Sequence, residues 1–414
     1  MTEVTLSAWI AERAKAIGFD LCGVVPAQKF PELAHTEEWL ARGYAGEMRY
    51  LADPRRSDPQ EAMPGIKSVI VCALNYNTAH PLSTDAGSQQ SPQYPQSPRA
   101  PDISSPSDSA VSPRGWISRY AWGRDYHDVL REKLEILRTE VEKRCAENGA
   151  GGQDFSARIY ADTGPVQERV FAKYAGLGWL GKNTLLLNQQ LGSYFFLGVI
   201  LTTLEIPPSV AAGSAPPRDM CGSCRRCIEA CPTDALQPYV MDARRCIAYL
   251  TIELRGSIPQ EFRAPIGKQV FGCDICQDVC PWNNRAPFTQ APEFAPRTFY
   301  EPASATPGEI PPIASQSLVA PDLEWLASMS EAEFREVFRG SSIKRTKWRG
   351  IVRNACIALG NSNVGPDNPA YARITATLNR LAQSPEIHVA ESAQWALSRI
   401  QSQESNHPAG QGSA

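Results

Sequence analysis

Residues 221–232 read CGSCRRCIEACP, which is the spacing C-x2-C-x2-C-x3-C followed by proline. Bacterial ferredoxins with two clusters use this spacing, and the fourth cysteine of the run ligates the other cluster. A second run, C-x2-C-x3-C followed by proline, occupies residues 273–281, and Cys246 lies between the runs. Eight of the 12 cysteines therefore lie between positions 221 and 280. This region predicts an iron–sulfur domain that transfers electrons one at a time.

The second cysteine run lacks its first member, because position 270 is Val270 rather than cysteine. Cys246 is the available replacement. We therefore predict two [4Fe–4S] clusters whose ligands are shared between the runs. The ligands of cluster 1 are predicted to be Cys221, Cys224, Cys227 and Cys280, and those of cluster 2 to be Cys231, Cys246, Cys273 and Cys276.

Zinc and disulfide bonds remain alternative uses of these cysteines. A structural zinc site favours closed four-ligand sites with paired C-x2-C knuckles, whereas three thiolates on one tight loop suit a cluster. Disulfides are not expected in a chain without a signal peptide. The four cysteines outside the region are scattered, and they are predicted to be small buried hydrophobic residues: Cys22, Cys72, Cys145 and Cys356.

The length of 414 residues is enough for two or three domains, and the apolar content of 43% allows each domain a core. The net charge of −3 indicates no general affinity for nucleic acid, so such a partner requires a local basic patch. The N-terminus has the pattern of an amphipathic helix, and the longest apolar run, residues 193–204, is too short to span a bilayer. We expect a cytoplasmic protein.

The first predicted domain covers residues 1–210, where helical and strand patterns alternate. Residues 68–74 are continuously apolar, which predicts a strand buried on both faces. Residues 79–115 interrupt the pattern with Pro, Ser, Gln and Asp and are expected to form a mobile surface insertion. The sequence predicts an α/β domain with this insertion on its surface.

The cysteine domain is predicted at residues 218–290, and a helical domain is predicted at residues 322–400. Proline-rich linkers are expected on both sides of the cysteine domain, at residues 207–217 and 291–321. The last dozen residues are expected to be disordered. The linkers favour a modular arrangement of three units.

Several motifs outside the cysteine runs identify a family resemblance. They are RYAWGRDYH at 119–127, YADTGP at 160–165, GLGWLGKNT at 176–184, DARRCI at 242–247 and YLTIE at 249–253. With the cysteine runs, they make the chain resemble the epoxyqueuosine reductases from Leu6 to about position 400. The departure from the family pattern is the insertion at 79–115, which lies between matched motifs.

The resemblance implies an oxidoreductase that reduces epoxyqueuosine to queuosine at the wobble position of tRNA anticodons, the last step of queuosine synthesis. It implies a cobalamin-binding α/β domain like that of reductive dehalogenases, a bacterial ferredoxin-like domain with two [4Fe–4S] clusters, and a HEAT-like helical domain that holds tRNA. It also implies an external electron donor of the flavodoxin or ferredoxin type, no membrane partner, and a monomer.

Asp162 is the candidate catalytic acid. It ends a short apolar strand before Thr163 and Gly164, where a carboxylate can face a cleft, although Asp also commonly caps such turns. An opened epoxide leaves an alkoxide, and a carboxylic acid with a raised pKa would protonate it. In the family the matching Asp is the proposed proton donor. Arg169 also matches a family active-site position; alternatively, it is a helix charge paired with Glu168 or Glu205.

The resemblance, not the spacing, implies the cobalamin site. The residues it suggests as cobalamin contacts are Arg56, Tyr126, Asp162, Asp274 and Ile275. The base-off motif D-x-H-x-x-G is only half present, because Asp125 and His127 are followed by Leu130 instead of glycine. We therefore do not assign His127 as a cobalt ligand; it is expected to serve the wall of the active site or packing. The glycines at 176, 178 and 181 do not complete a dinucleotide-binding pattern.

A basic segment follows the second linker and is the candidate tRNA contact. Its residues are Lys344, Arg345, Lys347, Trp348 and Arg349, with Arg339 and Arg353 at its edges. No acidic residue lies between Glu336 and Asp367 in the sequence. Lys and Arg bind phosphates, and an aromatic ring stacks on unpaired bases. The alternative is a solvated helix face with Trp348 in the core.

Two other functions remain open. The first is another corrinoid and iron–sulfur reductase, similar to a dehalogenase, acting on a small molecule; the basic segment disfavours it. The second is a non-catalytic iron–sulfur module for electron transfer. A simple electron relay needs neither the Asp162 loop nor a large α/β domain, so the sequence favours an enzyme.

Overall fold

The computed structural model describes residues 5–84, 113–147, 155–211, 215–299 and 316–404. The strands are β1 (Leu21–Pro26), β2 (Ser68–Asn75), β3 (Trp116–Ile117), β4 (Ala157–Tyr160), β5 (Trp179–Leu180), β6 (Leu186–Leu187), β7 (Phe195–Thr202), β8 (Leu236–Gln237), β9 (Val240–Met241), β10 (Gln269–Phe271), β11 (Thr298–Phe299) and β12 (Gln316–Ser317). The helices are α1 (Leu6–Ile17), α2 (Pro31–Ala41), α3 (Pro59–Ala62), α4 (Tyr126–Glu147), α5 (Glu168–Tyr174), α6 (Arg226–Glu229), α7 (Ile247–Ile252), α8 (Gln260–Arg263), α9 (Ile275–Asp278), α10 (Leu323–Ser328), α11 (Glu331–Val337), α12 (Lys347–Gly360), α13 (Tyr371–Leu381) and α14 (Ile387–Glu404).

The main sheet has four strands in the order β1-β2-β7-β4. Each neighbouring pair is antiparallel, with Val24 opposite Ile70, Val71 opposite Val199 and Ile159 opposite Ile200. Every residue of β2 is buried, as its continuous apolar pattern predicts. The sheet is therefore layered between helices, but it is not the parallel sheet of a βαβ fold.

Helices cover both faces of this sheet. On one face α1 and α4 pack on alternate residues of β2 and β7, including Ile70, Cys72 and Ile200. On the other face α2, α3 and α5 pack on the intervening residues, including Val69, Val71 and Val199. The two-residue alternation of a strand explains how one apolar run supplies both cores. The loop after β4 and the start of α4 meet at the edge of this unit.

A third core joins the segment after the insertion to the cysteine region and the C-terminal helices. The core contains Trp116, Ile117, Val270 and Phe271 together with the buried face of α12. β3 pairs in parallel with β10, so Trp116 lies opposite Gln269. The predicted domain limits are therefore crossed by one continuous apolar core.

The described margins of the predicted insertion are fixed to the rest of the protein. The Ser83 backbone N–H donates to Asp278 at 2.8 Å, and Arg119 donates to the carbonyls of His80 and Pro81 at 3.1 and 2.8 Å. On the far side, the Gly115 N–H bonds the Pro321 carbonyl at 2.9 Å. The prediction of mobility is wrong for these margins, and residues 85–112 lie outside the described residues.

The described parts of both predicted linkers also pack against the protein. The Val24 N–H donates to the Ser209 hydroxyl at 2.8 Å, which places the first linker beside β1. The Arg297 N–H donates to the Trp122 carbonyl at 2.9 Å, and the Leu318 N–H donates to the Arg297 carbonyl at 3.1 Å. The predicted disordered tail lies outside the described residues from position 405 onward.

The C-terminal part is helical, as predicted. Its central helix α12 is almost wholly buried, and α10 and α14 pack against it, with α13 beside α14. Two helical pairs are too few to establish a repeat, so a HEAT-like arrangement stays a prediction. Among the helices of the described residues, none is long and apolar enough to cross a membrane.

Candidate active site

Asp162 lies in the loop after β4 in a left-handed conformation, with φ of 61°. Such a conformation is strained for a residue other than glycine and needs support from its surroundings. The support comes from Glu168, whose Oε1 accepts the Asp162 N–H at 3.0 Å. Gly164 packs so tightly on Tyr160 that an added Cβ would lie 2.3 Å from the ring. The Asp-Thr-Gly motif therefore holds the carboxylate at the strand end.

Two side chains from the start of α4 converge on the Asp162 carboxylate. The Tyr126 hydroxyl donates to Oδ2 at 2.7 Å, and His127 Nε2 lies 3.6 Å from the same oxygen. His127 Nδ1 lies 2.7 Å from Oδ1 of Asp125, which is 1% exposed. These four residues, which we call the Asp162 cluster, form one continuous polar network.

The network sets the protonation of its members. Burial pushes the pKa of Asp162 upward, but the His127 imidazole at 3.6 Å and the hydrogen bond from Tyr126 outweigh it and lower the pKa. Burial lowers the pKa of His127, but the carboxylates of Asp125 and Asp162 more than compensate and raise it to about 9. The predicted raised pKa of Asp162 is therefore wrong in this structure, because the positive imidazole stabilises the carboxylate. The proton resides on His127 instead.

Asp162 is open to solvent but closely surrounded by protein. Its side chain is 66% exposed to solvent, yet the desolvation by surrounding protein is the largest single influence on its pKa. Water access together with dense surrounding protein describes a concave site. We call it the Asp162 cleft.

The rim of the Asp162 cleft carries an exposed aromatic residue that the sequence did not suggest. Tyr50 is 47% exposed, and the guanidinium groups of Arg56 and Arg345 lie 5.9 and 5.6 Å from its ring centroid. The charge of Asp162 contributes to raising the Tyr50 pKa, after burial and Glu253. In the sequence, Tyr50 could be noticed only as an aromatic residue six positions before Arg56.

Glu168 and Arg169 lie below the Asp162 loop at the start of α5. Burial and then the charge of Asp162 raise the pKa of Glu168 to about 7. Arg169 donates to the Thr184 carbonyl at 3.0 Å, and its charge helps to lower the Asp162 pKa. Arg169 therefore faces the cleft, and its hydrogen bond goes to a backbone carbonyl in place of the suggested Glu168 or Glu205.

Two predicted cofactor contacts come from the cysteine region. The Asp274 carboxylate is 1% exposed and accepts hydrogen bonds from Ser118 Oγ, the Arg119 N–H at 2.7 Å and Trp116 Nε1 at 3.2 Å. Its carboxylate oxygens are thus occupied by its own chain, and its backbone carbonyl accepts the Gln277 and Asp278 N–H groups at 2.8 Å. Ile275 is half-buried at the start of α9.

The eight clustered cysteines fall into two neighbouring groups. Burial raises the pKa of Cys280, and the thiols of Cys221, Cys227 and Cys224 raise it further. The thiols of Cys246, Cys227 and Cys231 raise the pKa of Cys276 in the same way. The thiols of Cys276 and Cys246 raise the pKa of Cys273. These influences are the ones expected if each predicted ligand set lies together, and the assignment stays a prediction. The influence of Cys227 on the pKa of Cys276 indicates that the groups adjoin.

The two cysteine groups have the donor chemistry of clusters. In the described part of the chain, no three His, Cys, Asp or Glu side chains converge on a single-ion position. Each group supplies four thiols, which is the ligand set that a [4Fe–4S] cluster takes. The residues present therefore fit cluster binding.

The loop from β5 to β6 contacts both groups. Lys182 Nζ donates to the carbonyls of Gly222 and Cys224 at 2.6 and 3.0 Å, and Asn183 Nδ2 donates to the Cys276 carbonyl at 3.4 Å. An added Cβ at Gly178 would lie 2.1 Å from the Leu187 carbonyl oxygen. The glycine and lysine of this motif thus have a structural role beside the cysteines.

The basic segment is less free than its sequence suggests, because acidic residues from other elements pair with it. Lys344 lies 2.7 Å from Asp125, Arg345 lies 2.7 Å from Glu253, and Arg349 lies 2.9 Å from Glu386. All three cations remain exposed.

Other residues of the segment serve the core. Trp348 is half-buried against the third core and donates to the Met329 carbonyl at 2.6 Å. Arg353 is 1% exposed and donates to the carbonyls of Leu250, Leu254 and Gly256. Arg353 is therefore a structural residue that ties α12 to α7. Lys347 is exposed, and no partner for it is present among the described residues.

An α/β unit with an ionised, solvent-exposed carboxylate, together with a region of eight clustered cysteines, indicates an iron–sulfur oxidoreductase. Two family models match the chain: epoxyqueuosine reductase QueG, DUF1730, at residues 56–163, and a 4Fe–4S double cluster binding domain at residues 220–283. The chain is 38% identical to the epoxyqueuosine reductase of Leadbetterella byssophila over 84% of this chain and 95% of that protein.

Solved structures agree with these matches. A structure of epoxyqueuosine reductase with an epoxyqueuosine-modified tRNA-Tyr stem loop is 29% identical, with a TM-score of 0.74, covering 98% of this chain and 95% of that one. The Bacillus subtilis reductase, with its catalytic aspartate loop swung out of the active site, is 30% identical, with a TM-score of 0.71, covering 95% and 90%. The chain belongs to the epoxyqueuosine reductase family.

Proposed function

We propose that this protein reduces epoxyqueuosine to queuosine at the wobble position of tRNA anticodons, the final step of queuosine synthesis. The observation that carries the proposal is the Asp162 cluster in an open cleft of a chain whose relatives are epoxyqueuosine reductases. The related structure with an epoxyqueuosine-modified stem loop supports tRNA as the substrate.

The eight cysteines would hold two [4Fe–4S] clusters. The proximities among the thiols support Cys221, Cys224, Cys227 and Cys280 as one ligand set and Cys231, Cys246, Cys273 and Cys276 as the other. Adjoining clusters pass single electrons between them, and an external donor of the flavodoxin or ferredoxin type would supply these electrons.

Cobalamin is the proposed reducing cofactor, supported by family membership and by the Asp162 cleft. When bound, it would supply low-valent cobalt chemistry to the epoxide. Arg56, Tyr126, Asp162 and Ile275 would offer side chains to the group, and Asp274 would offer its backbone N–H. His127 is held by Asp125 and Asp162, so it is not placed to ligate cobalt.

The Asp162 cluster supports a specific source of protons. Conversion of an epoxide to an alkene and water consumes two electrons and two protons. Asp162 is ionised in this structure, while His127, with a pKa of about 9, is protonated at neutral pH. We propose that Asp162 delivers to the epoxide oxygen a proton that it receives from His127. Tyr126 orients the carboxylate through its 2.7 Å hydrogen bond.

The exposed cations of the basic segment support tRNA binding near the cleft. Arg345 reaches both Glu253 and the ring of Tyr50 at the cleft rim, so the segment and the active site adjoin. Phosphate contacts would come first from Lys347, with Arg345 and Arg349 exchanging their carboxylate partners for phosphates. Trp348 is occupied by the core and is a weaker candidate for base stacking.

The deciding experiment is a single turnover with epoxyqueuosine-containing tRNA. The protein is purified without oxygen, supplied with cobalamin, iron and sulfide, and reduced chemically; the nucleosides are then analysed by mass spectrometry. Conversion to queuosine supports the proposal. Unchanged epoxyqueuosine in a preparation that contains both cofactors and binds the tRNA would refute it.

A further inference from the structure

Trp179, in β5, has a buried polar group without a partner. Its side chain is 3% exposed, and its indole Nε1–H has no acceptor at hydrogen-bond distance among the described residues. Buried N–H groups are almost always paired in folded proteins, so each exception calls for a physical explanation. The missing acceptor is expected to be a group that binds here.

The indole lies against the thiols assigned to cluster 1. Trp179 packs with Leu187 and Cys280, and Cys221 and Trp282 contact this small core. The ring of Trp282 meets Trp179 edge-on, with a centroid distance of 5.1 Å. The thiols of Cys221 and Cys280 are the sulfur groups that pack in this small core with the indole. The unpartnered donor therefore lies in a core that contains sulfur positions.

We propose that Trp179 donates a hydrogen bond from Nε1–H to a sulfur of the cluster held by Cys221, Cys224, Cys227 and Cys280, and so raises its reduction potential. This inference rests on the ligand set in the proposed function. A reduced cluster carries one more negative charge than the oxidised cluster, so a donor aimed at its sulfur stabilises the reduced form. Trp179 is thus a tuning residue and does not contact the substrate.

The surroundings of the other thiol group differ. Cys231 accepts from the Ala235 backbone N–H at 3.4 Å and lies 3.6 Å from the Thr233 hydroxyl, and Cys246 faces the backbone N–H groups of Ala248 and Tyr249. An indole donor at only one of two adjoining clusters would shift the potential of that cluster alone. The proposal therefore predicts a change in one redox transition out of two.

The first test is Trp179→Phe in the full chain with both clusters loaded. Phe keeps an aromatic ring against the thiols but lacks the N–H. Redox titration followed by electron paramagnetic resonance should show the midpoint of one cluster moved to a more negative potential, with iron content and the other midpoint unchanged.

Trp282→Phe is the matched control. It removes a second indole from the same apolar wall, while its backbone N–H, which faces the Cys280 thiol, is retained. Its two midpoints should stay at the parent values. If Trp282→Phe shifts a midpoint as much as Trp179→Phe, or if Trp179→Phe shifts none, the hydrogen bond is not the cause and the proposal is overturned.

A second measurement needs no variant and covers a failure of Trp179→Phe to load clusters. Protein grown with tryptophan labelled with ¹⁵N at the indole nitrogen is reduced, and pulsed electron paramagnetic resonance is used to detect ¹⁵N coupling to a cluster. Coupling supports the proposal and its absence overturns it. Neither measurement uses tRNA, so a negative result overturns the role of Trp179 and leaves the reductase proposal intact. A parent protein that converts no substrate counts against the reductase proposal and not against the role of Trp179.

Discussion

Lys344, at the start of the basic segment, forms a 2.7 Å salt bridge with one carboxylate oxygen of Asp125. The other oxygen of Asp125 lies 2.7 Å from His127 Nδ1. Asp125 is 1% exposed, so Lys344 and His127 together stabilise a buried carboxylate. Lys344 was predicted from the sequence to bind tRNA. The structure gives it a second role, because it connects the C-terminal region to the Asp162 cluster.

Lys344→Met should reduce single-turnover rate more than tRNA affinity. Without Lys344, Asp125 loses one of its two charged partners and His127 loses a fixed orientation, and a misplacement of about 1 Å can cost roughly 10²-fold in rate. Lys347→Met is the control, because Lys347 is exposed and has no partner among the described residues. It should weaken tRNA binding and lower the log–log salt slope by about 0.7–0.9, with an unchanged rate at saturation. Equal effects of both variants on rate would contradict this assignment.

The sequence predicted the helices, the buried central strand and the cysteine pattern because these depend on local spacing. The 3.6- and 2-residue periods and the ferredoxin spacing are readable from adjacent residues. Val270 occupies the position where the first cysteine of the second run is expected, and this missing cysteine pointed to Cys246. In the fold, the thiol of Cys246 influences the pKa of Cys276.

The charge relationships could not be predicted, since they depend on residues distant in the sequence. Asp125 and Lys344 are separated by more than two hundred positions, as are Arg345 and Tyr50. The same holds for the predicted raised pKa of Asp162, which the imidazole of His127 reverses. The proline-rich composition of residues 79–115 likewise gave no sign that Ser83 bonds Asp278.

Asp125→Asn should move the alkaline limit of turnover to lower pH. A group with a raised pKa holds its proton below that pKa and loses it as pH rises, so the His127 proton is available up to about pH 9 in the parent. Removing the Asp125 charge lowers the pKa of His127, and the rate should begin to fall nearer neutrality. Single-turnover rates from pH 6 to 10 test this. An unchanged profile would exclude His127 as the proton source.

Cys280→Ala and Cys246→Ala should each damage a different cluster. Cys280 lies with Cys221, Cys224 and Cys227, and Cys246 lies with Cys231, Cys273 and Cys276. Iron content and the paramagnetic resonance of each reduced variant are the measurements. Cys356→Ala is the control, since this buried cysteine is remote in sequence and lies in α12. Two intact cluster signals in Cys246→Ala would show that Cys246 does not replace the cysteine missing at Val270.

Deletion of residues 85–112 should preserve folding and activity, whereas deletion of 82–112 should not. The shorter deletion leaves Ser83 bonded to Asp278 through its backbone N–H at 2.8 Å and its hydroxyl. The longer deletion removes this partner from a buried carboxylate, which typically costs about 1–3 kcal/mol or more. A short glycine linker should join the ends in each protein. Thermal unfolding and turnover compare the two, and equal stability would show that the Ser83 contact is dispensable.

Asp162→Asn should retain both cofactors and tRNA binding but turn over about 10²–10⁴-fold more slowly, which is the usual contribution of proton transfer. Asn is nearly the same size but neither accepts the His127 proton nor passes it on. Tyr126→Phe is the matched comparison: it removes the 2.7 Å hydrogen bond to Asp162 but leaves His127 beside the carboxylate. Because Tyr126 only orients the carboxylate, this variant should lose about tenfold, the equivalent of one hydrogen bond. Single-turnover conversion of epoxyqueuosine tRNA is the assay. Equal losses in the two variants would mean that orientation, and not proton transfer, is what Asp162 contributes.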